Sequence, residues 1–183
     1  MVEKLEYKVA HFERLSLAST TLQGGDYDAL VRERISACID TEAPITRSLL
    51  LKRVVNSFGL FKVGWRLDNY FKAILEDFSG QLEDECGVAV YHSPCENRHS
   101  FRPNTKDIRF SHQIPPSEAA NVIVAILEAS SRRMRRKDIY NFFLGQLGYS
   151  KTGNDLAELF TRALTYALDQ GMVCKSKAGT FHL

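Results

Sequence analysis

Apolar positions recur at helical spacing in two stretches of this chain, broken by the same interruptions in the same order. In 48–75, SLLLKRVVNSFGLFKVGWRLDNYFKAIL, the residues Leu50, Leu51, Val54, Val55 and Phe58 mark one face of a helix. In 137–164, KDIYNFFLGQLGYSKTGNDLAELFTRAL, the pattern returns. Setting Gly59 on Gly148 puts Lys62 on Lys151 and Gly64 on Gly153, all 89 residues apart. Leu50 then meets Ile139, Val54 meets Phe143, Phe58 meets Leu147, Leu67 meets Leu156 and Phe71 meets Phe160. Upstream, Ile35, Ala37 and Ile39 match Ile123, Ala125 and Leu127 at a spacing of 88. One extra residue in a loop of the second copy accounts for the difference. So long a period exceeds a solenoid repeat and has the size of a small domain.

Each copy predicts the same series of elements. A first helix is expected over about 28–40 and 117–130, the latter with Ser117 as N-cap after Pro115-Pro116. Pro44 interrupts the chain before a second helix over about 46–58, matched by 136–147. Gly59 and Gly148 suit the left-handed C-cap. A tight turn leads to a third helix over about 65–78 and 154–170, the second capped by Asn154 or Thr152. Cys86–Tyr91 and Ser100-Phe101-Arg102 are expected to be strands, as are Met172–Lys175 and Lys177–Phe181, each pair forming a β-hairpin. Helix, helix, turn, helix, hairpin is the winged-helix variant of helix-turn-helix. The expected fold is mainly α with small β elements (α+β), as tandem winged-helix-like domains of three helices and a hairpin each. An N-terminal arm over 1–27 precedes repeat 1 (28–112) and repeat 2 (113–183). The arm carries Leu5, Val9, Phe12, Leu15 and Leu17 and is either a docking segment or packed on the first copy.

Composition narrows the class. The chain has 183 residues, 44% hydrophobic and 25% charged, with 11 glycines and 5 prolines, an ordinary globular make-up. No apolar run approaches the ~20 residues of a membrane span. The start, MVEKLEYKVAHFERL, has no apolar signal core. A cytoplasmic location is therefore expected, with no membrane partner and the four cysteines read as thiols. A net charge of +2 decides nothing about partners, so the distribution of charge carries the argument.

The string Thr41-Glu42-Ala43-Pro44-Ile45, with Leu50, Arg53-Val54, Phe58-Gly59, Gly64 and Leu67, resembles an uncharacterised bacterial domain. That domain closes very large proteins built on a superfamily-one helicase core and a restriction-endonuclease-like domain. Gly148-Tyr149-Ser150-Lys151-Thr152-Gly153 resembles its second-half motif, and the similarity spans about 28–183. Ala43 stands where the family often has glycine, and the basic residues at the two tight turns are Lys62 and Lys151. No Gly-Lys dipeptide occurs, so there is no phosphate loop of the helicase kind. The resemblance implies association with DNA-processing machinery, either double-stranded DNA or a helicase/nuclease protein. It supplies no activity.

The strongest candidate chemistry is basic. Arg132, Arg133, Arg135, Arg136 and Lys137 crowd a helix N-terminus, where positive charge opposes the helix dipole. Phosphate contact gives such a cluster a purpose, and a solvated loop partly neutralised by Asp138, Glu128 or the acidic run 76–85 (Glu76, Asp77, Glu83, Asp84, Glu85) is the alternative. Lys62, Arg66 and Lys72 at the first third helix, with Lys151, Lys175 and Lys177 in the second copy, extend the nucleic-acid-binding set. Asp155 and Glu158 argue against close approach of the second copy's third helix to DNA. Cys86, His92, Cys95 and His99 form C-x5-H-x2-C-x3-H, whose first spacing is wrong for a zinc knuckle, so no metal is expected. Cys38 and Cys174 read as small core residues, and Trp65 as an anchor in the core or between domains rather than a stacking platform. No triad recruits His11, His112 or His182, so neither catalysis nor a cofactor is expected.

Overall fold

The computed structural model describes residues 1–183, in α and β elements. In chain order they are β1 (Glu3–Lys4), α1 (Ser19–Leu22), α2 (Asp28–Glu42), β2 (Ile45–Thr46), α3 (Arg47–Ser57) and α4 (Trp65–Leu75). A 3-10 helix over Glu76–Gln81 leads to β3 (Leu82–Glu85), β4 (Val88–Tyr91) and β5 (Ser100–Phe101). The remainder is α5 (Pro116–Ser130), β6 (Met134–Arg135), α6 (Arg136–Gln146), α7 (Asn154–Asp169), β7 (Cys174–Lys175) and β8 (Thr180–His182). The fold is mixed α+β and dominated by helix. No helix is long and apolar enough to cross a membrane.

Two compact units divide the chain. One comprises Lys8–Asp84 and Ala89–Glu96; the other comprises Met1–Tyr7, Glu85–Val88 and Asn97–Leu183. The first is built on α2, α3 and α4, whose apolar faces close on Ile35, Leu50, Val54, Phe58 and Phe71, all fully buried. Phe12, Leu15, Leu17 and Leu22 of the N-terminal segment join this core. Thr46 caps α3 by accepting from the Leu49 amide. Ile45 pairs with Tyr91, giving a three-stranded sheet in the order β2-β4-β3.

The second unit repeats this order with α5, β6, α6, α7, β7 and β8. Its core holds Ile123, Ile139, Phe143, Leu147 and Phe160. Its three-stranded sheet runs β6-β8-β7, with Met134 opposite Phe181. α3 and α6 begin 89 residues apart and α2 and α5 begin 88 apart. The extra residue sits between α5 and β6, where Ser131, Arg132 and Arg133 replace Ala43-Pro44.

The repetition reaches further upstream than the sequence indicates. Gly59 and Gly148 both take φ of +80°, as the C-cap requires. A Cβ on Gly59 would lie 2.6 Å from the Leu15 carbonyl oxygen, and one on Gly148 would collide with the Asn104 carbonyl oxygen. Leu15 and Asn104 are again 89 apart. Leu15 N donates to Ser57 O at 2.8 Å, and Asn104 N donates to Leu147 O at 3.0 Å. In each unit an extended segment satisfies the carbonyls left open at the end of the second helix.

Several local expectations give way. The first hairpin is β3-β4 turning at Cys86-Gly87, so the acidic run 76–85 forms the 3-10 helix and a strand. Ser100–Phe101 instead pairs in parallel with Glu3–Lys4. Pro115 occupies the N-cap of α5, with Pro116 at the first helical position, so Ser117 lies inside the helix. Gly153 caps α7 without a side-chain hydrogen bond, and neither Thr152 nor Asn154 takes that role.

A buried ion cluster closes the second unit. Glu118 on α5 is 1% exposed and accepts from Arg102 N, Nε and Nη2 and from Arg109 Nη1 and Nη2, at 2.7–3.1 Å. Arg109 also donates to the Arg102 carbonyl and lies over the Tyr7 ring. Burial alone would raise the Glu118 pKa, but the two guanidinium groups outweigh it and hold the carboxyl at about 2.

Candidate nucleic-acid interface

The basic run is presented by a short strand. Met134, 7% exposed, drops into the core opposite Phe181 and fixes the path of β6. Arg132, Arg133, Arg135, Arg136 and Lys137 on either side of it are exposed. Arg136 donates to Thr161 Oγ1 at 2.8 Å on α7 and lies 5.5 Å from the centroid of Phe160. The other four side chains have no such tether.

None of the five reaches a carboxylate within 4.0 Å. Glu128, one of the acids expected to neutralise them, is held elsewhere. It accepts from the Val2 amide at 3.0 Å and pairs with the Met1 amino group at 3.4 Å. The structural arginines behave differently: Arg32 meets Asp77 at 2.7 Å, Arg47 meets Asp68 at 2.7 Å and Arg53 meets Glu42 at 3.1 Å. An exposed cation cluster with no internal counter-charge keeps its attraction for an external anion.

The remaining predicted residues are also exposed and free of carboxylate partners. Lys151 lies in the turn before α7, Lys175 on β7 and Lys177 in the turn between β7 and β8. Arg135 pairs with Thr180 and Lys175 with Phe181, so the two residues flank β8 from opposite sides with backbones ~10 Å apart by strand spacing and side chains on opposite faces of the sheet. Asp155 and Glu158 are exposed on α7 in the same unit. In the first unit, Lys62 lies in the turn before α4, Arg66 in its first turn and Lys72 in its last.

The thiol–imidazole candidates do not combine. His92, 5% exposed, directs Nδ1 to Glu96 Oε1 at 2.5 Å and Nε2 to Glu83 at 3.6 Å. Its ring is committed to carboxylates rather than to thiols. Cys86 and Cys95 are exposed thiols outside any disulfide, and His99 is exposed. Cys174 is exposed as well, contrary to the expectation of a core residue, because β7 is an edge strand. Cys38 is fully buried, and desolvation with the nearby Glu42 pushes its thiol up to about 12.

Trp65 corrects a second expectation. It is 71% exposed, and Phe61 in the same turn is 75% exposed. Arg14 lies 5.0 Å from the Phe61 centroid and Arg66 lies 5.4 Å from that of Trp65. The repeat itself holds the signal: these positions align with Ser150 and Asn154, polar residues that suit an exposed turn. Comparison with known proteins adds no likeness, since no family model, curated protein or solved structure matches the chain.

Proposed function

We propose that the chain is a non-catalytic nucleic-acid-binding module of two winged-helix-like units, which grips phosphates through its unpaired cations. The architectural half of this reading rests on the order of elements. Each unit runs helix, short strand, helix, turn, helix, hairpin, and the short strand pairs with the second hairpin strand. That order supports the winged helix-turn-helix reading.

The observation that carries the functional half is the absence of counter-charges. Arg132, Arg133, Arg135, Arg136, Lys137, Lys151, Lys175 and Lys177 are all exposed in one unit, and none has a carboxylate partner. Lysine and arginine facing phosphates supply most sequence-independent affinity for DNA. Phosphate contact fixes position but carries no sequence information, so binding with little sequence preference follows. Glu118 and Cys38, whose pKa values are displaced, are buried structural groups, in keeping with a binding role.

Titration of a labelled duplex at several salt concentrations tests this reading. Log K is expected to fall linearly with log salt, with a slope of about −0.9 per phosphate neutralised. Changing Arg132, Arg133 and Arg135 to Ala is expected to reduce the slope by about 0.9 for each phosphate no longer neutralised. No binding at ~50 mM salt refutes it.

A second reading has its own support. Ile126, Ala129, Met134 and Phe142 line an apolar cleft of about 390 Å³ in the second unit, and Phe142 is 58% exposed. A module that docks a helicase or nuclease partner fits that cleft and the exposed acids of α7, and it gains ground if duplex DNA fails to bind.

A further inference from the structure

The two copies present different chemistry at the same turn. The second copy has Ser150, Lys151, Thr152, Gly153 and Asn154, all polar or small. The first has Phe61, Lys62, Val63, Gly64 and Trp65 at the aligned positions, with the two rings 75% and 71% exposed. A turn needs no aromatic residue for its geometry, as the second copy demonstrates. Two large rings held in water, within five residues of each other, call for a ligand that covers them.

The surroundings of the rings define that ligand. Arg14 lies over one face of the Phe61 ring and Arg66 over one face of the Trp65 ring, Lys62 lies between the two aromatic residues in sequence, and all three cations are free of carboxylates. Asp68, the acid in the first turn of α4, is neutralised by Arg47 at 2.7 Å. Phe61 also walls a cleft of about 320 Å³ in which Arg14 and Asn56 offer hydrogen-bond donors. Exposed π-faces alternating with cations match a polyanion that carries flat rings, which is single-stranded nucleic acid. In a duplex the faces of the bases are already stacked, so only an unpaired strand or an open end has faces to offer.

We infer that Phe61 and Trp65 are a stacking platform for unpaired bases, with Arg14, Lys62 and Arg66 on the flanking phosphates. This rests on the nucleic-acid reading and adds a division of labour to it. The first unit takes single strands, and the cation cluster of the second takes backbone.

The chain has one tryptophan, so its emission reports this site alone. The experiment titrates the full chain with an oligothymidylate and, separately, with a duplex, following both Trp65 emission and the anisotropy of the labelled strand. Oligothymidylate is expected to quench Trp65. Phe61→Ala and Trp65→Ala are each expected to weaken its binding about five-fold or more, with duplex affinity unchanged. Both side chains project from the surface, and circular dichroism checks that the variants fold. Binding of oligothymidylate without quenching, or unchanged affinity in both variants, overturns the platform while leaving the duplex reading intact. Quenching by duplex at equal affinity overturns the single-strand assignment. Failure of oligothymidylate alone to bind overturns the platform, and failure of both nucleic acids to bind at ~50 mM salt overturns both readings.

Discussion

Glu118→Gln makes the sharpest test of how the second unit is held together. The carboxylate is 1% exposed and is the acid shared by Arg102, 7% exposed, and Arg109, 1% exposed. The amide keeps the shape but removes the charge, and it turns one acceptor into a donor aimed at guanidinium N–H groups. Two buried cations then lose the charge that compensates them. Breaking a buried pair by removing one partner costs about 3–5 kcal/mol. Against a stability of about 5–15 kcal/mol for a whole domain, that is a large fraction. Urea unfolding followed by circular dichroism is the assay, with hydrogen exchange to locate the loss. Trp65 belongs to the other unit and is exposed, so its emission is the wrong reporter. The expected result is early unfolding of α5, α6 and α7 while α2, α3 and α4 keep their midpoint. A midpoint shift worth less than ~1 kcal/mol would refute the reasoning, because it would mean the cations are solvated. The same group sets the acid limit. Its folded pKa, about 2, lies below the unfolded value. Its contribution is therefore complete above an unfolded pKa of about 4.3 and is lost as pH falls from there toward about 2.

Other outcomes follow from the same structure. Gly59→Ala and Gly148→Ala each force a Cβ onto a carbonyl oxygen at φ of +80° and are expected to cost about 2 kcal/mol or more. Gly179→Ala has φ of +76° but open space, so a thermal melt should show a smaller loss of about 1 kcal/mol. Native protein titrated with Ellman's reagent is expected to release three thiols quickly, from Cys86, Cys95 and Cys174. Cys38, buried and pushed up to about 12, should react only on unfolding, and fast release of four would contradict its burial.

How much of this is legible in the sequence differs from element to element. The in-register pairs from Leu50 with Ile139 to Phe71 with Phe160 locate α3, α4, α6 and α7, because buried apolar faces repeat with the helix period. Gly59 and Gly148 locate the helix ends, because only glycine takes that backbone cheaply. The upstream segments at Leu15 and Asn104 stay hidden, because their role is played by backbone carbonyls and amides that leave no mark on side-chain pattern. The first hairpin is misplaced by pattern alone, because charged Glu83 and Asp84 do not look like strand residues and gain their place by pairing with β4. The basic run is readable as a cluster, but its lack of counter-charges is not, since that depends on Glu128 turning to the N-terminus. Trp65 is misjudged because a lone tryptophan is usually buried, and the aligned Asn154 is the better guide.

Lysine footprinting tests the central claim most directly. The chain is acetylated with and without saturating duplex DNA, and the modified lysines are read by mass spectrometry. All the lysines compared are exposed without DNA. Protection is expected at Lys137, Lys151, Lys175 and Lys177, with Lys4 and Lys106 unchanged as internal controls. Equal modification of all six with and without DNA would contradict the account.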